Sequence, residues 1–185
     1  MNKLHLRLIY KLFLFTLIYF VGCGFQTSFW PNIISFLPGP QIWLIIIFYI
    51  GIKWKSMNYI FYIYFLSYCL TYFTDVPLKM LWVPLALIYF VLILVKDRIR
   101  LTGVFSFILY SLVGSIMFEV GYYFISSLLE PVPTGAMFVD RTLQILMNFI
   151  LSYPLYFLLE LADRTFSEKP DWHRTSMDYN SEPLL

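Results

Sequence analysis

The sequence predicts an all-α integral membrane protein, a polytopic bundle of six transmembrane helices. Its 185 residues are 60% hydrophobic and only 13% charged, whereas soluble domains carry about 25% charged residues. No charged residue occurs between Lys11 and Lys53, and the apolar runs lack the period-two alternation of outer-membrane barrel strands. This composition excludes an ordinary soluble domain, a disordered segment and a nucleic-acid-binding protein.

Two spans are predicted before Lys53. The first covers about residues 8–30, because Pro31 interrupts the long uncharged run. The second covers about residues 36–52, which is close to the roughly 20 apolar residues that cross a bilayer. Pro38 lies near its start, where a proline costs a helix little because its missing N–H would have no partner there.

Two further spans are bounded by charged residues. The third covers about residues 58–74 and ends before Asp75. The fourth covers about residues 80–95 and stops at the basic cluster 96–100. Both runs are somewhat shorter than the roughly 20 apolar residues that cross a bilayer.

The last two spans are separated by residues 130–135, whose prolines and glycine predict a loop. The fifth span covers about residues 101–129. The sixth covers about residues 142–159 and contains Pro154, which predicts a kink. The membrane domain thus occupies residues 1–166, and the polar residues 167–185 form a tail.

The basic residues predict the orientation of the chain. Eleven of the 13 Lys and Arg residues fall in the leader, the second loop, the fourth loop and the tail. A six-span bundle places these four segments on one side, which the positive-inside rule assigns to the cytoplasm, together with both termini. The outer loops keep Lys79 and Arg141. Tryptophans near span ends, including Trp43 and Trp54, are expected at the membrane interface.

Polar side chains at helical spacing mark the fifth and sixth spans. These polar rows are Ser111, Ser115 and Glu119 in the fifth span, and Arg141, Gln144, Asn148 and Ser152 in the sixth. Because an unpaired carboxylate is costly in lipid, Glu119 is expected to be neutral or to face a donor, with Ser115, Gln144 and Asn148 in reach. A packing seam, a partner-binding groove and a substrate or ion site all remain open.

Catalysis is not expected. His5 and His173 both lie in the predicted cytoplasmic termini, and Glu119 is the single acid at depth. No catalytic motif, metal site or cofactor site is recognised, and two cysteines exclude a disulfide scaffold. Cys23 follows a basic leader and an apolar run, so a lipidated five-span lipoprotein is an alternative to its use in helix packing.

Two stretches resemble the rod shape-determining MreD family of bacteria. They are residues 37–49, LPGPQIWLIIIFY, and residues 143–166, LQILMNFILSYPLYFLLELADRTF. The order and number of spans are also similar over most of the chain. Residues 67–77 depart from the family, which has a glycine-rich Leu-Asp segment after its third span.

The resemblance implies a non-catalytic scaffold in the bacterial inner membrane that regulates cell shape as part of the cell-elongation complex. It implies binding to MreC and an indirect link between MreB filaments and the peptidoglycan synthases, RodA and its penicillin-binding transpeptidase. The family also resembles, in fold, the substrate-binding membrane subunits of energy-coupling-factor vitamin transporters. Such a subunit is the alternative function.

Overall fold

The computed structural model describes residues 3–54, 59–74, 76–96, 103–130 and 138–166. Its helices are α1 (Lys3–Gly24), α2 (Trp30–Ile33), α3 (Ile42–Lys53), α4 (Tyr59–Leu70), α5 (Leu78–Lys96), α6 (Val104–Leu129) and α7 (Phe138–Arg164). No strand occurs among these residues, so the prediction of an all-α chain is confirmed. The predicted tail, residues 167–185, lies outside the described residues.

The first helix is longer than its sequence predicts. A π-helical stretch, Phe25–Phe29, joins α1 to α2, so that one helical segment continues to Ile33. The Trp30 N–H bonds to the Phe25 carbonyl, and Pro31, which has no N–H, follows in the first turn of α2. Pro31 therefore does not end the segment, because a proline is tolerated in a first turn.

Three segments are long and apolar enough to cross a bilayer by length and composition. They are His5–Ile33, Val104–Leu129 and Phe138–Arg164. Three apolar helices are shorter: Ile42–Lys53, Tyr59–Leu70 and Leu78–Val91. The number of six spans therefore remains a prediction.

Helix α3 lies in the centre of the bundle. Every residue from Ile42 to Gly51 is buried, and α3 contacts α1, α4, α5, α6 and α7. A helix that is apolar on all sides belongs in the interior, because no face gains from contact with water. Two glycines let neighbouring helices approach α3 closely. A Cβ added at Gly22 would lie 2.8 Å from Ile42 Cγ2, and one added at Gly114 would lie 2.5 Å from Phe48 Cζ.

Helices α3 and α7 run parallel and side by side. In three contacting pairs the residue numbers differ by 107: Gln41 with Asn148, Tyr49 with Tyr156, and Lys53 with Glu160. A constant offset means that the two helices keep the same register along the length of α3. Helices α1 and α6 run antiparallel to these two, since Lys11 lies near Trp54 and Glu119 near Arg141.

Candidate functional site

A group of mostly buried polar side chains joins the start of α3 to α6 and α7. We call it the polar hub, and its members are Gln41, Ser115, Glu119, Arg141 and Asn148. All but Arg141 are buried. Buried polar groups are costly unless each has a partner, so the contacts inside the hub determine what it can do.

The hub surrounds a stretch of chain that is not helical. Two prolines flank Gly39, and α3 begins only after them, at Ile42. The backbone groups of this stretch need partners from elsewhere. Asn148 Oδ1 accepts a hydrogen bond from the Gln41 N–H at 2.6 Å, and Gln144 Nε2 donates to the Gly39 carbonyl at 3.0 Å. Two amide side chains of α7 thus hold the chain where it enters the bundle.

The Gln41 side chain connects the three helices. Its Nε2 donates to Glu119 Oε1 at 2.7 Å, and its Oε1 accepts from Asn148 Nδ2 at 3.1 Å. Asn148 Nδ2 also lies within donating distance of Ser115 Oγ, at 3.1 Å. Each polar side chain of this group therefore has a partner on another helix.

Glu119 is paired with a cation at the edge of the bundle. Its Oε2 lies 3.0 Å from Arg141 Nη1, and its side chain is 8% exposed whereas that of Arg141 is 39% exposed. The guanidinium also lies 5.6 Å from the centre of the Tyr122 ring. A partly exposed partner keeps part of its hydration, which reduces the desolvation cost of a buried ion pair.

The structure brings some residues of the two polar rows together in the hub and leaves the others outside it. Ser115, Glu119 and Asn148 lie in the hub, while Gln144 bonds to backbone beside it. The Ser152 hydroxyl donates to the Asn148 carbonyl on its own helix. Ser111 is buried, and its Oγ has no hydrogen-bond partner among the residues that the structure describes.

The partners of Glu119 differ from those expected from the sequence. Sequence reasoning expected Ser115, Gln144 or Asn148, whereas the carboxylate contacts Gln41 and Arg141. Gln41 was missed because it comes from the non-helical stretch before α3, far from both polar rows in the sequence. A signal for it does exist in the sequence, since it is a glutamine between Pro-Gly-Pro and a long apolar run.

A second polar group lies at the opposite end of α3. We call it the terminal ion cluster, and its members are Lys11, Lys53, Trp54, Glu160 and Asp163. Lys11 pairs with Asp163 at 2.5 Å, and Lys53 pairs with Glu160 at 2.9 Å. The Trp54 indole donates to Asp163 at 3.2 Å, and this tryptophan is buried among the neighbouring helices. The cluster ties α1 and α3 to the end of α7.

Comparisons with known proteins give no identity. No protein-family model, no curated protein and no solved structure matches the chain. Among the described residues, no group of three His, Cys, Asp or Glu side chains could hold a metal ion. The role of the hub is therefore inferred from the contacts of its members. These side chains bond to the backbone before α3 and to one another.

Proposed function

We propose that the chain is a multi-pass protein of the bacterial inner membrane and a non-catalytic scaffold of the cell-elongation complex. In this proposal it binds MreC and links MreB filaments indirectly to RodA and its penicillin-binding transpeptidase. It would contact lipid around its whole perimeter and bind partners through membrane-exposed surfaces. The following features support the proposal.

The surface of the bundle favours a lipid environment. Large apolar side chains are exposed along the three long helical segments, for example Phe13, Val120 and Leu161. Apolar side chains in contact with water would be unfavourable over so large an area, whereas lipid accommodates them. The three shorter apolar helices would supply the remaining spans, with α3 shielded from lipid by the others.

The distribution of charge supports cytoplasmic termini. Lys11, Lys53 and Arg164 come from three different segments that the sequence places in the cytoplasm, and all three pair with acids near the end of α7. Arg141, from a predicted outer loop, lies in the hub beyond the other end of α3. Among the described residues, basic side chains are thus more numerous at this end of the bundle, and the positive-inside rule associates such an end with the cytoplasm.

The observation that carries the scaffold proposal is the packing of the two stretches that resemble MreD. Most of residues 37–49 and 143–166 lie in α3 and α7, which run side by side in one constant register. Polar residues of both stretches, Gln41 and Asn148 among them, bond to each other. The two stretches thus form a single packed unit whose polar groups serve the fold, which suits a protein that acts by binding other proteins.

One observation favours the alternative of a substrate-binding transporter subunit. Helix α3 begins inside the bundle, and Gln41 at its start bonds to the buried carboxylate of Glu119. In transporters, helices that begin at membrane depth often point their positive ends at bound solutes. Here the carboxylate of Glu119 itself occupies the region beside that helix end.

Purification with native partners separates the two functions. The chain would carry an affinity tag at its carboxyl end, be extracted in mild detergent at native abundance, and be analysed by mass spectrometry. The scaffold proposal predicts that MreC is recovered in stoichiometric amount. Recovery of an energising ATPase without MreC would contradict it and support the transporter subunit. A matched purification of another tagged multi-pass protein controls for nonspecific recovery.

A further inference from the structure

Helices α3 and α7 are joined by polar contacts near both ends of α3. At its start, Gln41 exchanges two hydrogen bonds with Asn148. Near its end, Glu160 pairs with Lys53 at 2.9 Å and accepts a hydrogen bond from the Tyr49 hydroxyl at 3.1 Å. The contacts at the two ends lie on opposite sides of an apolar core.

The spacing of these contacts is the same on both helices. Gln41 and Lys53 are twelve positions apart, and so are Asn148 and Glu160. Twelve residues of helix extend about 18 Å. Because the two lengths match, both contacts form together, and a slip of α3 by one residue (about 1.5 Å of translation and 100° of rotation) would break both.

The apolar surface of α3 specifies the register of α3 against α7 only weakly. All side chains from Ile42 to Ile50 are buried, and they are apolar on every side of the helix. Alternative registers would bury similar apolar area, so the polar contacts at the two ends and the fit of Phe48 against Gly114 carry most of the discrimination. Buried polar pairs have this registry role in other helical assemblies.

From these contacts we infer that α3 is a rigid rod that couples the polar hub to the terminal ion cluster. Loosening the contact at one end displaces α3 and weakens the contact at the other end. Each end is accessible, because the side chains of Lys53 and Arg141 are 33% and 39% exposed. A partner bound at one end of the bundle would therefore change the other end, and such coupling is reciprocal. The inference concerns the chain alone and is independent of the proposed partners.

Hydrogen exchange on the purified full-length protein tests the coupling. Glu160→Gln removes the charge that pairs with Lys53, and Tyr49→Phe removes one hydroxyl while keeping every charge. Both are expected to speed exchange of the Gln41 amide, at the far end of α3, by at least about fivefold, because loss of one hydrogen bond changes local opening by a factor of this size. Arg164→Ala is the matched control, since Arg164 is largely exposed and pairs with the same carboxylate from its own helix.

The experiment also has a reciprocal arm. Asn148→Ala is expected to speed exchange of the Trp54 amide, which donates to the Ile50 carbonyl at the far end of α3. An unchanged Gln41 rate in Tyr49→Phe overturns the inference, and this variant stays informative where Glu160→Gln does not fold. Faster exchange in every helix also overturns it, because that result would indicate general loosening instead of coupling through α3.

Discussion

Asn148 accepts a hydrogen bond from the backbone N–H of Gln41 at 2.6 Å, across 107 positions of sequence. The bond joins a buried side chain of α7 to the last residue before α3. Without it, a backbone donor would be buried without a partner, since Pro40 and the start of α3 leave Gln41 outside the helical hydrogen-bond pattern. This contact gives the fully buried amide of Asn148 a partner inside the bundle.

Replacing Asn148 by alanine is predicted to destabilise the fold by about 1–3 kcal/mol, because the Gln41 N–H loses its partner in a buried site. Thermal unfolding in detergent measures the loss. Asn32→Ala is the matched control, because Asn32 is exposed and bonds within its own helical segment. Equal unfolding temperatures for the two variants would contradict the role of Asn148.

Two substitutions of Glu119 are predicted to differ. Glu119→Gln keeps an acceptor for Gln41, so we expect a loss of about 1 kcal/mol at most. Glu119→Leu removes the carboxylate that accepts from Gln41 Nε2 and pairs with the Arg141 guanidinium, and we expect a loss of about 2–4 kcal/mol. Unfolding curves at matched membrane levels test the order. The double variant Glu119→Leu/Arg141→Leu should recover part of the loss, and a fully stable Glu119→Leu would contradict the pairing.

Gly114 is predicted to be intolerant of a side chain. A Cβ there would lie 2.5 and 2.7 Å from two ring atoms of the buried Phe48, so Gly114→Ala should destabilise the bundle by about 1–3 kcal/mol. Gly24→Ala is the control, since a Cβ at Gly24 meets nothing within 4 Å. Alanine should be neutral or slightly stabilising there, because it favours helix more than glycine does. Similar stability for both variants would show that α3 and α6 are less closely packed than described.

The regular parts of the fold follow from the sequence, because apolar runs and their interruptions mark helices directly. The four-residue spacing of Ser111, Ser115 and Glu119 predicts that they share one face of a helix, and in α6 all three are buried. The partner of Glu119 could not be predicted in the same way. Gln41 reaches it through a non-helical entry into the bundle, and such a path depends on tertiary packing.

The burial of two tryptophans shows a second limit of prediction. Trp43 and Trp54 lie near predicted span ends, which favours the membrane interface. In the structure both are also enclosed by protein: Trp43 packs edge-on against Phe118 at 5.2 Å, and Trp54 lies under Lys11 at 4.4 Å. Because α3 is central, residues at both of its ends are enclosed by neighbouring helices. The sequence marks where a helix ends but carries no direct signal of which helix lies in the centre.

Membrane topology is the premise on which the proposed function rests, and paired reporter fusions test it most directly. Alkaline phosphatase becomes active only when it is carried out of the cytoplasm. Green fluorescent protein fluoresces when it stays in the cytoplasm and does not fluoresce after export by the general secretion route. Fusions after Arg100 and at Leu185 are predicted to be fluorescent and without phosphatase activity, and a fusion at Pro133 is predicted to show the reverse. If Leu185 and Pro133 report the same side of the membrane, the six-span bundle with cytoplasmic termini is wrong.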